Sequence, residues 1–206
     1  AAGLLFSSHE LFLKADKYHL ETRSLAKLFL LNGDFDKSEN TITRDRIVHD
    51  TLVGPGPRLS PVDSDYYDRG AVTRLKFWTG EEGSCVAGIS TLPKMIDLSA
   101  DEFLEYLEHE GLVDMIIERA HKGLSGSAAR EKYSKHVKAI LQVGDAPSDH
   151  FSARLDYPIE FIALDNPYAH ELGDTLRFQL LFRGKPLSGE VVRFGSRPDA
   201  GHEAGK

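Results

Sequence analysis

Residues 71–90 read AVTRLKFWTGEEGSCVAGIS, and the period of two in this stretch sets the architecture expected of the whole chain. Val72, Arg74, Lys76 and Trp78 alternate with Thr73, Leu75 and Phe77, as on a strand with one face in a core and the other in water. Gly80 to Gly83 then turns the chain into Cys85 to Ser90, giving a strand pair. Upstream, Leu11 and Leu13 alternate with Phe12 and Lys14, and the run Leu28 to Leu31 ends at the turn signal Asn32-Gly33. Ile47, Val48, Leu52 and Val53 suggest another strand, halted at Gly54-Pro55-Gly56-Pro57, where prolines remove amide donors from any continuing ladder.

Downstream, the pattern changes at Leu98. Ser99 and Glu102 have capping-box spacing, and Phe103, Leu104 and Leu107 then share a helical face that Gly111 would end. Leu112, Val113, Ile116 and Ile117 repeat the helical spacing, and a third, polar helical start is expected over Ala128 to Tyr133. Val137, Ala139, Leu141 and Val143 restore alternation, so the chain is expected to rejoin its first sheet after a helical insertion at about 98–135. Ala146 to Asp156 reads as a linker. Ile159, Phe161 and Ala163, then Leu176, Phe178, Leu180 and Phe182, then Val191 and Val192, supply further strands.

The expected fold is therefore mainly β: an immunoglobulin-like β-sandwich over residues 9–150 carrying the helical insertion, followed by a second β-sandwich-like unit over 151–206. The second unit offers only about four strands where such a sandwich usually has about seven, so it is expected to be incomplete, through truncation or completion by another chain.

Composition narrows the function. With 206 residues, 41% of them hydrophobic, the chain can bury a real core, while a formal net charge of −7 without a basic run argues against nucleic acid as a partner. No segment has the length and apolarity of a transmembrane helix. One cysteine, Cys85, cannot form an intramolecular disulfide and is expected to be a small buried residue. The opening octet AAGLLFSS passes abruptly into HELFLKADKY, as at the end of a signal-peptide core, so export to the periplasm or cell surface is expected.

The sequence shows no self-sufficient catalytic motif. Gly54 to Leu59 fails the dinucleotide fingerprint, and Gly123 to Ser127 misses the nucleophile elbow. Asn32, Asp34, Asp36, Ser38 and Asn40 mimic a calcium loop, but Lys37 and Thr43 stand where its glycine and bidentate glutamate belong. Asp63, Asp65 and Asp68 read as a polar loop with Tyr66 and Tyr67 at its tip. Nine histidines supply imidazole, the usual ligand for a borderline divalent metal, with His109, His121 and His136 in or beside the insertion and His9 and His19 on the first strands. Were processing to expose His9, its amino group and ring nitrogen could chelate a metal with Glu10 nearby.

Five segments in order carry a resemblance: SSHELFLKADKYHL (7–20), NGDFDKSEN (32–40), KYSKHVKAILQVGD (132–145), YPIEFIALDNPYAHELGDTL (157–176) and LFRGKPLSGEVV (181–192). Together they resemble the bacterial family of domain of unknown function 4198, whose members are exported and often described as periplasmic components of nickel or cobalt uptake. The resemblance implies a signal peptide ending near His9, a β-sandwich, and a second immunoglobulin-like or transthyretin-like part. It places His9 and Glu10 in the family's opening motif and His136 in the segment before the returning strand. The expectation is a non-catalytic binding protein for a divalent transition metal (nickel, cobalt, zinc or copper) with His9, Glu10, His109 and His136 as ligands, and with membrane uptake components or envelope proteins as partners. The alternative expectation is a structural or adhesion module that binds protein or glycan at the cell envelope.

Overall fold

The structure, a computed structural model, describes residues 10–195 and the strand Glu203–Gly205. It is mainly β. The first half of the chain forms β1 (Glu10–Ala15), β2 (His19–Leu20), β3 (Leu25–Gly33), β4 (Ser38–Asn40), β5 (Ile47–Val53), β6 (Tyr66–Arg69), β7 (Val72–Trp78) and β8 (Gly83–Thr91). After these come β9 (Lys94–Leu98), α1 (Ala100–His109), α2 (Val113–His121), β10 (Ala129–Tyr133) and β11 (His136–Val143). The remaining strands are β12 (Ile159–Ala163), β13 (Phe178–Phe182), β14 (Lys185–Pro186), β15 (Val192–Phe194) and β16 (Glu203–Gly205).

Two sheets carry the main core. The first runs β1-β3-β7-β6, with β4 beside β3, and the second runs β2-β11-β8-β5. Alternation explains how they meet: Leu11, Leu13, Ala26, Leu28, Leu30, Leu75 and Phe77 turn inward from the first sheet, and Leu52, Cys85, Ala87, Ile89, Ala139 and Leu141 from the second, into one buried cluster. Each large aliphatic side chain fully buried here contributes about 1.5–3 kcal/mol. β8 is buried along its whole length, because its outer face is covered as well. That cover is residues 146–157, which include the linker expected over Ala146 to Asp156. Ser148 accepts from the Ser84 amide at 2.8 Å, Leu155 and Tyr157 are buried against Val86, and Asp149–Ser152 forms a short 3-10 turn. Ser84 and Gly88 on β8 make the close approach possible, since a Cβ at Gly88 would meet Leu155 and lie 2.7 Å from the Tyr157 hydroxyl.

The chain divides into two compact units, one built on Leu92–Lys135 and the other on Glu10–Thr91 with His136–Lys206. In the first, the capping box at Ser99 and Glu102 starts α1 as expected, with the Ser99 amide donating to Glu102 at 2.8 Å. The third helical start does not form. Ala129–Tyr133 is instead β10, antiparallel to β9, with Arg130 paired to Asp97 at 2.5 Å. Ala-Arg-Glu-Lys-Tyr lacks an apolar helical stripe, so it gains more from a cross-strand ladder than from an isolated helical turn.

β12, β13 and β14 form a three-stranded sheet joined to the second sheet through polar anchors. Lys138 on β11 donates to Glu160 on β12 at 2.9 Å, and Tyr168 donates to the Ile140 carbonyl at 2.8 Å. One face of this sheet leaves Ile159, Phe161, Phe178 and Phe182 exposed.

Candidate functional site

Polar side chains converge where the edge strands of the two main sheets come together, β5 of one and β6 of the other. β5 shifts register between Val48 and Thr51, and His49 in the shift adopts φ 49°, a left-handed conformation uncommon outside glycine. Such a bulge re-aims the following side chain, here Asp50. Its carboxylate accepts from the Tyr66 hydroxyl at 2.7 Å and from Arg44 Nη2 at 3.3 Å, so one acid ties both sheet edges together. Arg44 also donates from Nε to Asp63 at 2.7 Å, and its guanidinium lies 4.3 Å from the centroid of the Tyr66 ring. Burial raises the Tyr66 pKa far above the ordinary phenol range, reinforced by the hydrogen bond to Asp50 and its charge, so this hydroxyl is a fixed donor. Thr73 holds the preceding segment in place, accepting from the Ile42 amide at 3.0 Å.

Arg44, Asp63, Tyr66 and Thr73 line a cleft of about 290 Å³ with Ile42, Ile47, Tyr67 and Asp68. Arg44 Nη1 is desolvated and meets no acceptor, an expensive state for a charged donor. The cleft thus presents carboxylate acceptors on Asp63 and Asp68 and tyrosine rings beside the Arg44 guanidinium, whose Nη1 is itself closed to solvent. Tyr66 and Tyr67, expected at a loop tip, lie instead on a strand of the first sheet. Arg44 and Asp50 were missed altogether, because a lone arginine before a strand and an acid within one carry no local signal.

Of the residues expected to hold a metal, Glu10 and His136 lie in the same unit and are not brought together. Glu10 opens β1, where Leu11 and Leu13 take the inward positions, so Glu10 faces outward from the first sheet. His136 opens β11, where Val137 packs inward, so its ring faces outward from the second sheet. The two therefore point to opposite outer faces of one stack. His136 Nδ1 lies 2.7 Å from Ser90 Oγ, its ring 5.6 Å from that of Tyr157. Burial lowers its pKa, with the nearby His49 adding to the effect. His109 ends α1 in the unit built on Leu92–Lys135. His9 lies outside the described residues. Among the described residues no group of three or more His, Cys, Asp or Glu side chains comes together as a metal ion would require.

Cys85 belongs to the main core cluster, and burial pushes its thiol up to about 11, which leaves it unreactive at neutral pH. No helix among the described residues is long and apolar enough to cross a membrane.

Neither the curated proteins nor the solved structures contain a match to this chain. The family described as Domain of unknown function (DUF4198) matches residues 7–205, nearly the whole sequence, and the chain belongs to that family.

Proposed function

We propose that this chain is a non-catalytic binding module of the bacterial cell envelope, built on an immunoglobulin-like sandwich, whose cleft between β5 and β6 takes a hydroxyl-rich ligand, most simply a glycan. The single observation carrying this reading is a cleft that gathers the part-exposed Arg44 guanidinium with the carboxylates of Asp63 and Asp68 and the rings of Tyr66 and Tyr67. A sugar hydroxyl can accept from the guanidinium and donate to Asp63 or Asp68 at once, while the apolar face of its ring lies on an aromatic side chain. Two aspartates already flank Arg44, at 3.3 Å (Asp50) and 2.7 Å (Asp63), so its charge is compensated and a neutral acceptor suits it better than an anion. Nickel or cobalt supply, the first expectation from the resemblance, has no donor set among the described residues to support it.

The test is calorimetry against a panel of neutral oligosaccharides of glucose and N-acetylglucosamine. Binding by at least one, lost in Arg44→Ala and weakened in Tyr67→Ala, is the expected result. No binding by any member, or binding indifferent to both substitutions, would overturn the reading. Parallel titration with nickel, cobalt, zinc and copper would restore the metal hypothesis if any of them bound stoichiometrically.

A further inference from the structure

The outward face of the first sheet has an organisation that the core does not demand. Because Ala26, Leu28, Leu75 and Phe77 point inward, Lys27, Phe29, Arg74, Lys76 and Trp78 point outward from β3 and β7. The pairing register sets them in rows. Lys14 stands opposite Phe29, Phe29 opposite Arg74, and Arg74 opposite Tyr67, so cation and ring alternate across four strands. In the next row Lys27 stands directly opposite Lys76, and in the next Leu25 opposite Trp78.

Two lysines opposed across an antiparallel pair repel each other, which makes the Lys27–Lys76 row costly unless an anion lies over it. Within the chain, Asp36 neutralises Lys14 at 3.1 Å, but no acid pairs with Lys27, Arg74 or Lys76 among the described residues. Their contacts are with rings instead: Arg74 lies 5.1 Å from the Phe29 centroid and Lys76 lies 5.7 Å from that of Tyr67. Arg74 Nε is also desolvated without an acceptor. All this occurs on a chain whose net charge is −7, where unpaired cations gathered on one sheet face are against the general balance. At the end of the face Trp78 is 65% exposed and Leu25 is 49% exposed.

We propose that this face docks an acidic polysaccharide, one carrying a carboxylate on its sugar rings. The charge complementarity selects a polyanion, and the aromatic side chains select a sugar among polyanions. A uronate ring presents a carboxylate at its rim, for Lys27, Lys76 and Arg74, and an apolar C–H face, for Trp78. An acidic peptide would match the charges and leave the exposed indole without a role. The face shares Tyr67 with the cleft, but neither Arg44 nor Asp50 takes part in it.

Trp78 is the one tryptophan in the chain and reports binding directly through its fluorescence. The full chain is titrated with polygalacturonate, uncharged dextran and poly-glutamate. Polygalacturonate is expected to perturb the emission, with affinity falling about tenfold between low and physiological salt as the surface charges are screened. The doubly substituted Lys27→Glu, Lys76→Glu chain should bind at least about tenfold more weakly, because attraction becomes repulsion, while Lys185→Gln, on β14 of another sheet, leaves affinity unchanged. Circular dichroism checks folding, and the gentler Lys27→Gln, Lys76→Gln pair serves if the charge reversal does not fold. Absence of polygalacturonate binding by fluorescence and co-sedimentation, equal binding of poly-glutamate, or indifference to the lysine substitutions would each overturn the proposal.

Discussion

His136 shows how a single side chain can be chemically suggestive in sequence and structural in the fold. Its ring is committed to Ser90 and Tyr157 on the outer face of the second sheet, and burial, with His49 nearby, depresses its pKa below the ordinary value of 6.5. A depressed folded-state pKa means the unfolded chain binds the proton more readily. The stabilising contribution is thus present above the unfolded value and lost as pH falls through it toward the folded one. The melting temperature should accordingly fall between pH 7.5 and pH 5.5, and His136→Gln should flatten part of that fall. An unchanged slope in the variant would show that the ring is protonated without cost. Cys85 gives a second check at this scale. With its thiol raised to about 11 and its side chain in the core, it should resist alkylation by iodoacetamide at pH 8 until urea unfolds the chain. Rapid modification of the native protein would contradict its place between the sheets.

At the scale of elements, the attachment of the C-terminal strands rests on a buried ion pair. Lys138 and Glu160 have side chains 14% and 3% exposed, and Glu160 also accepts from the Leu155 amide at 3.0 Å. Lys138 donates further to the Ala153 carbonyl at 2.9 Å, so β11, β12 and the covering segment share one polar knot. Burial lowers the Lys138 pKa, and its bond to Glu160 partly offsets that. Lys138→Met would leave a buried carboxylate without its counter-ion, costing about 3–5 kcal/mol in urea denaturation. Restoring neutrality with Glu160→Gln in the same chain should recover part of it, and additive losses would deny the coupling. Gly88 tests the covering segment itself. The Cβ of Gly88→Ala would press on Leu155 and Tyr157, for an expected loss of about 1–3 kcal/mol from overpacking. The strands behind these contacts were readable wherever alternation was strict, as in Val72–Trp78 and His136–Val143. The cover was not readable, because residues 146–157 attach through Ser148, Tyr157 and Glu160, whose partners are remote in sequence. The cleft was hidden for the same reason: the polar segment 63–68 was legible, but Arg44 and Asp50 join it only through a bulge and a sheet edge.

For the whole molecule, the arrangement of the Leu92–Lys135 unit yields a decisive test. Its chain enters after β8 and leaves into β11, and those two strands pair antiparallel with His136 opposite Ser90. The entry and exit therefore sit side by side at the end of one ladder. A sequence reader sees more than forty intervening residues, but the sheet needs only a hairpin turn there. Deleting Leu92 to Ser134 and joining Thr91 to Lys135 through Asn-Gly supplies a two-residue loop of the type favoured by the twist of paired strands. The core cluster of the two main sheets contains no residue from the deleted segment, so its burial survives intact. The shortened chain should give a β-type circular dichroism spectrum and a single cooperative unfolding transition. It should also keep the Trp78 response to polygalacturonate, since every residue of that face lies outside the deletion. A collapsed or non-cooperative product would show that the two-sheet body depends on the excised unit to fold. A folded product with no polygalacturonate response, where the full chain has one, would assign that response to the excised residues instead of the outer face.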